Sequence, residues 1–143
     1  MFIKQLSIFV ENKVGRLQSI IDALGENDVN ISALSIADTT DFGILRIIVD
    51  NPDKAKLVLK GMGVISKTTD VIAVYIDDRT GGLASVLNVV TDAGISIEYM
   101  YAFIGKAEGK AWTVLRVDDI EGATEVFKEH GIAMHDDYEN YRK

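Results

Sequence analysis

Two short loops carry the residue types most suited to chemistry. The first is Glu11-Asn12-Lys13-Val14-Gly15-Arg16-Leu17, and the second is Asp77-Asp78-Arg79-Thr80-Gly81-Gly82-Leu83. Each falls between an alternating apolar run and an apolar pattern of helical period. A glycine at a strand-to-helix turn brings bare backbone close to whatever lies there. The helix start behind it offers free N–H groups and about half a positive charge, which attract a carboxylate or phosphate. Asn30, ahead of the next apolar run, adds an amide that both donates and accepts. Together these groups suit a small zwitterion. Each of them also has an ordinary structural use, as a turn or as a strand cap.

Other constellations point nowhere so definite. His130 and His135 lie five apart across Gly131 and share no helix face, so with Asp136 and Asp137 they make a poor metal site. The acidic pairs Asp77-Asp78 and Asp118-Asp119 fall at predicted strand ends, where carboxylates are usually solvated. The chain has Cys 0, which removes disulfides, thiolate metal sites and a cysteine nucleophile. No phosphate-binding loop, dinucleotide fingerprint or nucleophile elbow opens a helix after a strand. No catalytic residue, metal or cofactor is therefore expected.

The elements that position the loops are duplicated. Shifting the chain by 66 places Val10–Leu17 on Ile76–Leu83, with Gly15 on Gly81. It also places Leu17, Ile20, Ile21 and Leu24 on Leu83, Val86, Leu87 and Val90. After a two-residue insertion around Gly105–Lys110 the offset becomes 68, and Gly63-Val64 falls on Gly131-Ile132. In each unit the apolar period reads strand, helix, two strands around a loop, helix, strand. In the first unit Leu6, Ile8 and Val10 alternate, and Leu17, Ile20, Ile21 and Leu24 form a helical face. The runs 31–36 and 44–49 flank the polar loop 38–43, and Pro52 opens a second helix that Gly63 ends. The expected fold class is α+β. It has two ferredoxin-like βαββαβ units, each an antiparallel sheet with its helices on one face.

The expected units are 1–68 and 69–143, joined by the short stretch 66–70. No proline-, glycine- or serine-rich spacer separates them. The open-face phase of the strands includes Phe9, Ile44, Ile48, Tyr75, Trp112 and Val114. An apolar face of that size is expected to be covered, by the other unit or by a second chain. A homo-oligomer, a dimer in the simplest case, follows.

The 143 residues are 48% hydrophobic, enough for a real core. The formal net charge is −7. It argues against a nucleic-acid partner, which needs a basic stripe, and against an anionic membrane surface. The alternating rings of Tyr99, Tyr101 and Phe103 would suit stacked bases, but this half carries most of the negative charge. No run is long enough for a membrane span, and the N-terminus lacks the apolar core of a signal peptide, so a cytoplasmic protein is expected.

At the two loops the chain resembles the ACT domain. The resemblance rests on an acidic residue, a glycine, a leucine, an amphipathic helix and a short strand start. In the first unit these are Glu11, Gly15-Arg16-Leu17 and Val29-Asn30-Ile31, and in the second Asp77, Gly81-Gly82-Leu83 and Gly94-Ile95-Ser96-Ile97. It covers the chain twice and leaves no catalytic domain. It implies a regulatory module that binds an amino acid or related metabolite at an interface between ACT units, near the first loop and the second strand. Carried over, the implied contacts are Asn12, Val14, Gly15, Arg16 and Asn30, and Asp78, Thr80, Gly81, Gly82 and Ser96. A metabolic enzyme or regulator is the implied protein partner. The chain departs from the family in two places: Val14 and Thr80 stand where a proline is usual, and Ser96 replaces the strand-start asparagine. The two sites are therefore expected to be unequal, with the first the better. Two other readings stay open: an interaction module without a ligand, and a small enzyme on the same scaffold.

Overall fold

The computed structural model describes residues 2–38, 41–104 and 110–135. The chain divides into two compact units, one of residues 4–69 and one of residues 1–3 with 70–143.

In the first unit β1 (Ile3–Glu11) leads into α1 (Arg16–Glu26), then β2 (Ile31–Asp38) and β3 (Phe42–Val49). Helix α2 (Pro52–Gly61) and the start of β4 (Ser66–Asp77) complete it. The strand order is β2-β3-β1-β4. β3 runs antiparallel to both β1 and β2, with Ile8 opposite Leu45 and Leu34 opposite Ile47. One sheet face carries Leu6, Ile8, Val10, Leu45, Ile47 and Val49. These pack with Ile20 and Leu24 of α1 and Ala55 and Leu59 of α2, the stripes that the helical period marks. Pro52 sits in the first turn of α2, where the Asn51 side chain caps the Lys54 N–H at 3.1 Å.

The second unit repeats the plan. After β4 come α3 (Gly82–Asp92), β5 (Ile97–Ala102), β6 (Lys110–Val117), α4 (Ile120–Glu129) and β7 (Met134–His135). β4 lies between β6 and β7, and β5 pairs with β6. Ile72, Val74, Ile76, Leu115 and Val117 meet Val86, Val90, Ala123 and Phe127 in the core. Asp119 caps α4 through the Gly122 N–H at 2.9 Å, the role that Asn51 has in α2.

The stretch 66–70, expected as a connector, is strand. β4 runs through it without a break, and β1 lies beside it. Its local composition, Ser-Lys-Thr-Thr-Asp, is polar and hides this, because the ladder is held by backbone groups rather than by apolar side chains. Of the open-face residues, Ile48, Trp112 and Val114 are buried, Ile44 and Tyr75 half-buried, and Phe9 exposed. On that face of the second unit Trp112 packs against Tyr75 and His135, with Phe103 at 6.5 Å between ring centroids. Among the described residues no helix is long and apolar enough to cross a membrane. The insertion at 105–109 and the acidic pair 136–137 lie outside the described residues.

Candidate functional site

The two glycine turns are the same structure twice. Gly15 caps α1 at φ 83°, ψ −7°, and Gly81 caps α3 at φ 84°, ψ −7°. This is the left-handed region, which glycine enters without a side-chain clash. Lys13 N–H donates to the Glu11 carbonyl at 2.8 Å, and Arg79 N–H to the Asp77 carbonyl at 2.9 Å. Arg16 N–H closes onto Lys13 at 3.2 Å, and Gly82 N–H onto Arg79 at 3.0 Å. Ser19 and Ser85 N–H groups then return to Gly15 and Gly81, both at 3.0 Å. Neither helix has a side-chain cap at its start. The charge at each helix start therefore faces outward with no capping carboxylate or hydroxyl to quench it.

Asn12, Val14 and Gly15 are exposed on the first turn, and Arg16 is half-buried behind them. Asn12 N–H donates to the Asp41 carbonyl at 3.2 Å, tying the turn to the start of β3. A shallow pocket of about 290 Å³ opens here, lined by Glu11, Asn12, Lys13, Asp41 and Phe42. On the second turn Asp78, Thr80 and Gly81 are exposed and Gly82 is buried. A Cβ on Gly82 would strike the Asp77 carbonyl oxygen, whereas one on Gly15 or Gly81 meets nothing within 4 Å. Gly82 is thus needed for space and Gly81 for conformation.

Asn30 and Ser96 also match. Asn30 N–H donates to Asp50 Oδ1 at 3.0 Å and its carbonyl accepts from Asp50 N–H at 3.1 Å. Ser96 makes the same two bonds with Asp118, at 3.0 and 3.1 Å. This gives Asp118 a structural task, as capping does for Asp119.

The topology separates the turn from the strand start. β1 and β2 both run antiparallel to β3, so they are parallel to each other. Gly15 lies beyond the end of β1, and Asn30 precedes the start of β2, at the opposite end of the sheet. Between them lies the length of α1, 11 residues or about 16 Å. Gly81 and Ser96 are separated by α3 in the same way. Within one unit, then, the carried-over residues form two groups rather than one.

A second pocket, of about 350 Å³, lies inside the second unit beside Gly82. Its lining includes Arg79 of the second loop and His130, together with Ser85 and Ala133, which the sequence reading did not single out. The signal available was the comparison of the two repeats position by position. His130 Nδ1 lies 2.8 Å from the Val126 carbonyl. Among the described residues no group of three His, Cys, Asp or Glu side chains could hold a metal ion.

The paired turns, in a repeat of βαββαβ units, agree with a match of residues 1–141 to the ACT domain pair. The chain belongs to that family. Both ACT units thus lie within one family match. A crystal structure of a protein from Bacteroides thetaiotaomicron is 41% identical, with a TM-score of 0.89 over 94% of this chain and 92% of that one. The ligand-free regulatory subunit of aspartate kinase from Thermus thermophilus shares the fold at 14% identity, with a TM-score of 0.63 over 88% of this chain and 90% of that one. Aspartate kinase from Clostridium acetobutylicum does so at 13% identity, with a TM-score of 0.56 over 88% of this chain and 32% of that one. No curated protein matches the chain.

Proposed function

We propose that the chain is a non-catalytic regulatory protein that binds a small amino acid or related metabolite at its ACT turns and passes occupancy to a partner enzyme. The observation that carries this reading is the glycine turn itself. It presents an uncapped helix start beside Asn12 and Arg16, donors suited to an α-carboxylate. A shared fold with a regulatory subunit of aspartate kinase fits a separate regulatory chain.

Because one unit holds Gly15 and Asn30 at opposite ends, a ligand touching both takes them from two copies of the chain. Binding and dimerisation are then linked: the ligand favours the dimer, and the dimer completes the site. The test is a melting screen over the twenty amino acids, followed by sedimentation with any that scores. A ligand at about 100 times its Kd adds about 2.7 kcal/mol, several degrees for a chain of this size. Sedimentation should then shift toward the dimer. A screen with no shift would remove the ligand from the reading.

The alternative is a module that docks an enzyme without a ligand. It is favoured by Phe9 and Phe42, 48% and 50% exposed on the open face of the first sheet. Unchanged melting with all twenty amino acids, together with an enzyme that stays bound throughout purification, would favour it.

A further inference from the structure

The charge of the chain reverses over one stretch of the first unit. Residues 54–67 hold Lys54, Lys56, Lys60 and Lys67 and no acidic residue, in a chain of formal net charge −7. The equivalent stretch of the second unit, 122–135, sets Lys128 against Glu125 and Glu129. Lys56, Lys60 and Lys67 are exposed, and Lys54 is half-buried. Among the described residues none of the four ammonium groups has an ion-pair partner. Their charges therefore add to a local positive potential instead of cancelling within the fold.

Apolar side chains stand among these lysines. Leu57 is 71% exposed, on the side of α2 turned away from its buried residues Ala55 and Leu59. Lys60 is the helical neighbour of both Lys56 and Leu57, four and three residues back. Ile65 is 70% exposed just past the end of α2. Its carbonyl accepts from the Phe9 N–H at 3.1 Å, which sets it beside β1. A pocket of about 400 Å³ opens between α2 and the start of β4, lined by Lys56, Lys60, Gly63, Val64, Ile65 and Ser66. The fold does not require this surface. The second unit builds the same helix and turn with Thr124 for Lys56, Glu125 for Leu57 and Ala133 for Ile65.

We propose that this face of the first unit docks an acidic, amphipathic segment of a protein partner. One apolar side chain of the segment enters the pocket against Val64 and Ile65, and another meets Leu57. Carboxylates between them pair with Lys56 and Lys60. Lysines around apolar anchors also suit an anionic bilayer, but the rest of the chain is strongly acidic and repels an extended anionic surface. A short segment meets only the basic face, and it offers the single side chain that a pocket takes. The proposal deepens the regulatory reading, from which it takes the existence of a partner.

The test is an NMR titration of the isotope-labelled full chain with a short glutamate-rich peptide carrying two leucines one helical turn apart. Amide signals of Lys56, Lys60, Ile65 and Ser66 should move, and added salt should weaken the effect. A peptide with lysine for every glutamate should move none of them. Lys56→Glu with Lys60→Glu should weaken binding about tenfold or more, because it sets like charges opposite the peptide. Leu57→Ser with Ile65→Ser should do the same by removing the anchors. All four positions are exposed, so both double variants should melt like wild type, and if one melts early the other carries the test. No movement of these signals, equal binding of the lysine peptide, or wild-type affinity in either double variant would overturn the proposal. So would vesicles of phosphatidylserine and phosphatidylcholine that move the same signals where the peptide does not, since the face would then be a membrane contact. A change in the sedimentation of Lys56→Glu with Lys60→Glu, measured without peptide, would overturn it by giving the face to a second copy. No amino acid is added, so the result is separate from the melting screen. Peptide binding with a flat screen keeps the docking face and removes the metabolite, and a positive screen without peptide binding does the reverse.

Discussion

Asn30 and Ser96 hold equivalent backbone positions, so the difference between them lies in their side chains. The backbone bonds to Asp50 and Asp118 survive truncation of either. Asn30→Ala should therefore keep those backbone bonds and lose what its amide gives a ligand. For a hydrogen bond to a charged group that is about 1.5–3 kcal/mol, or about 10- to 150-fold in affinity. Ser96→Ala should lose less. Calorimetric titration of both variants with the amino acid that scores in melting checks this, and a larger loss in Ser96→Ala would mean the second unit holds the better site. The glycines make a second pair. Gly81→Ala pays for a positive φ alone, about 1–2 kcal/mol. Gly82→Ala drives a Cβ into the Asp77 carbonyl and should cost more. Urea unfolding of the two variants gives the order directly. That Gly15 and Gly81 hold matching strand-to-helix turns was legible from the repeat, while their left-handed φ came with the structure. The need for glycine at 82 was not legible, because it depends on a carbonyl five residues away in a different element.

At the scale of elements, Trp112 is the test of the open sheet face. It is 6% exposed on β6, between Tyr75 of β4 and His135 of β7, with Phe103 nearby. Removing so large a buried ring costs about 3–5 kcal/mol. Trp112→Asp adds an unpaired carboxylate to that loss and should lower the melting temperature by many degrees or shift the sedimentation. If melting and sedimentation both match wild type, Trp112 is not part of a closed face. The helix starts give a smaller check. Asn51→Ala and Asp119→Ala should each cost about 1 kcal/mol, because each side chain accepts from a first-turn N–H of its helix. Denaturant midpoints measure both. The helices and the strand phase were readable because they follow local periods of 3.6 and 2.

For the whole molecule, β4 is the strand along which the chain passes from one unit to the next. It lies beside β1 and pairs with β6 and β7. A proline in its middle removes a ladder donor and fixes φ. Val71→Pro, at a buried position next to the start of the β4–β6 pairing at Ile72 and Leu115, should therefore weaken the second unit's sheet. Amide hydrogen exchange should show protection lost in β6. Unchanged protection in β6 would mean that its pairing does not depend on an intact β4.

Composition and period alone determined that the chain is a duplicated α+β fold with two glycine turns, since apolar spacing is local and the repeat prints it twice. The tertiary structure decided what depends on direction and distance. Parallel β1 and β2 put Gly15 and Asn30 at opposite ends of a unit, although 15 residues separate them in sequence. The strand through 66–70 owes its place to backbone pairing, which no side-chain pattern announces. The pocket beside Gly82 exists because α3, β4 and the turn after α4 converge there, bringing Arg79 and His130 together across some fifty residues of chain.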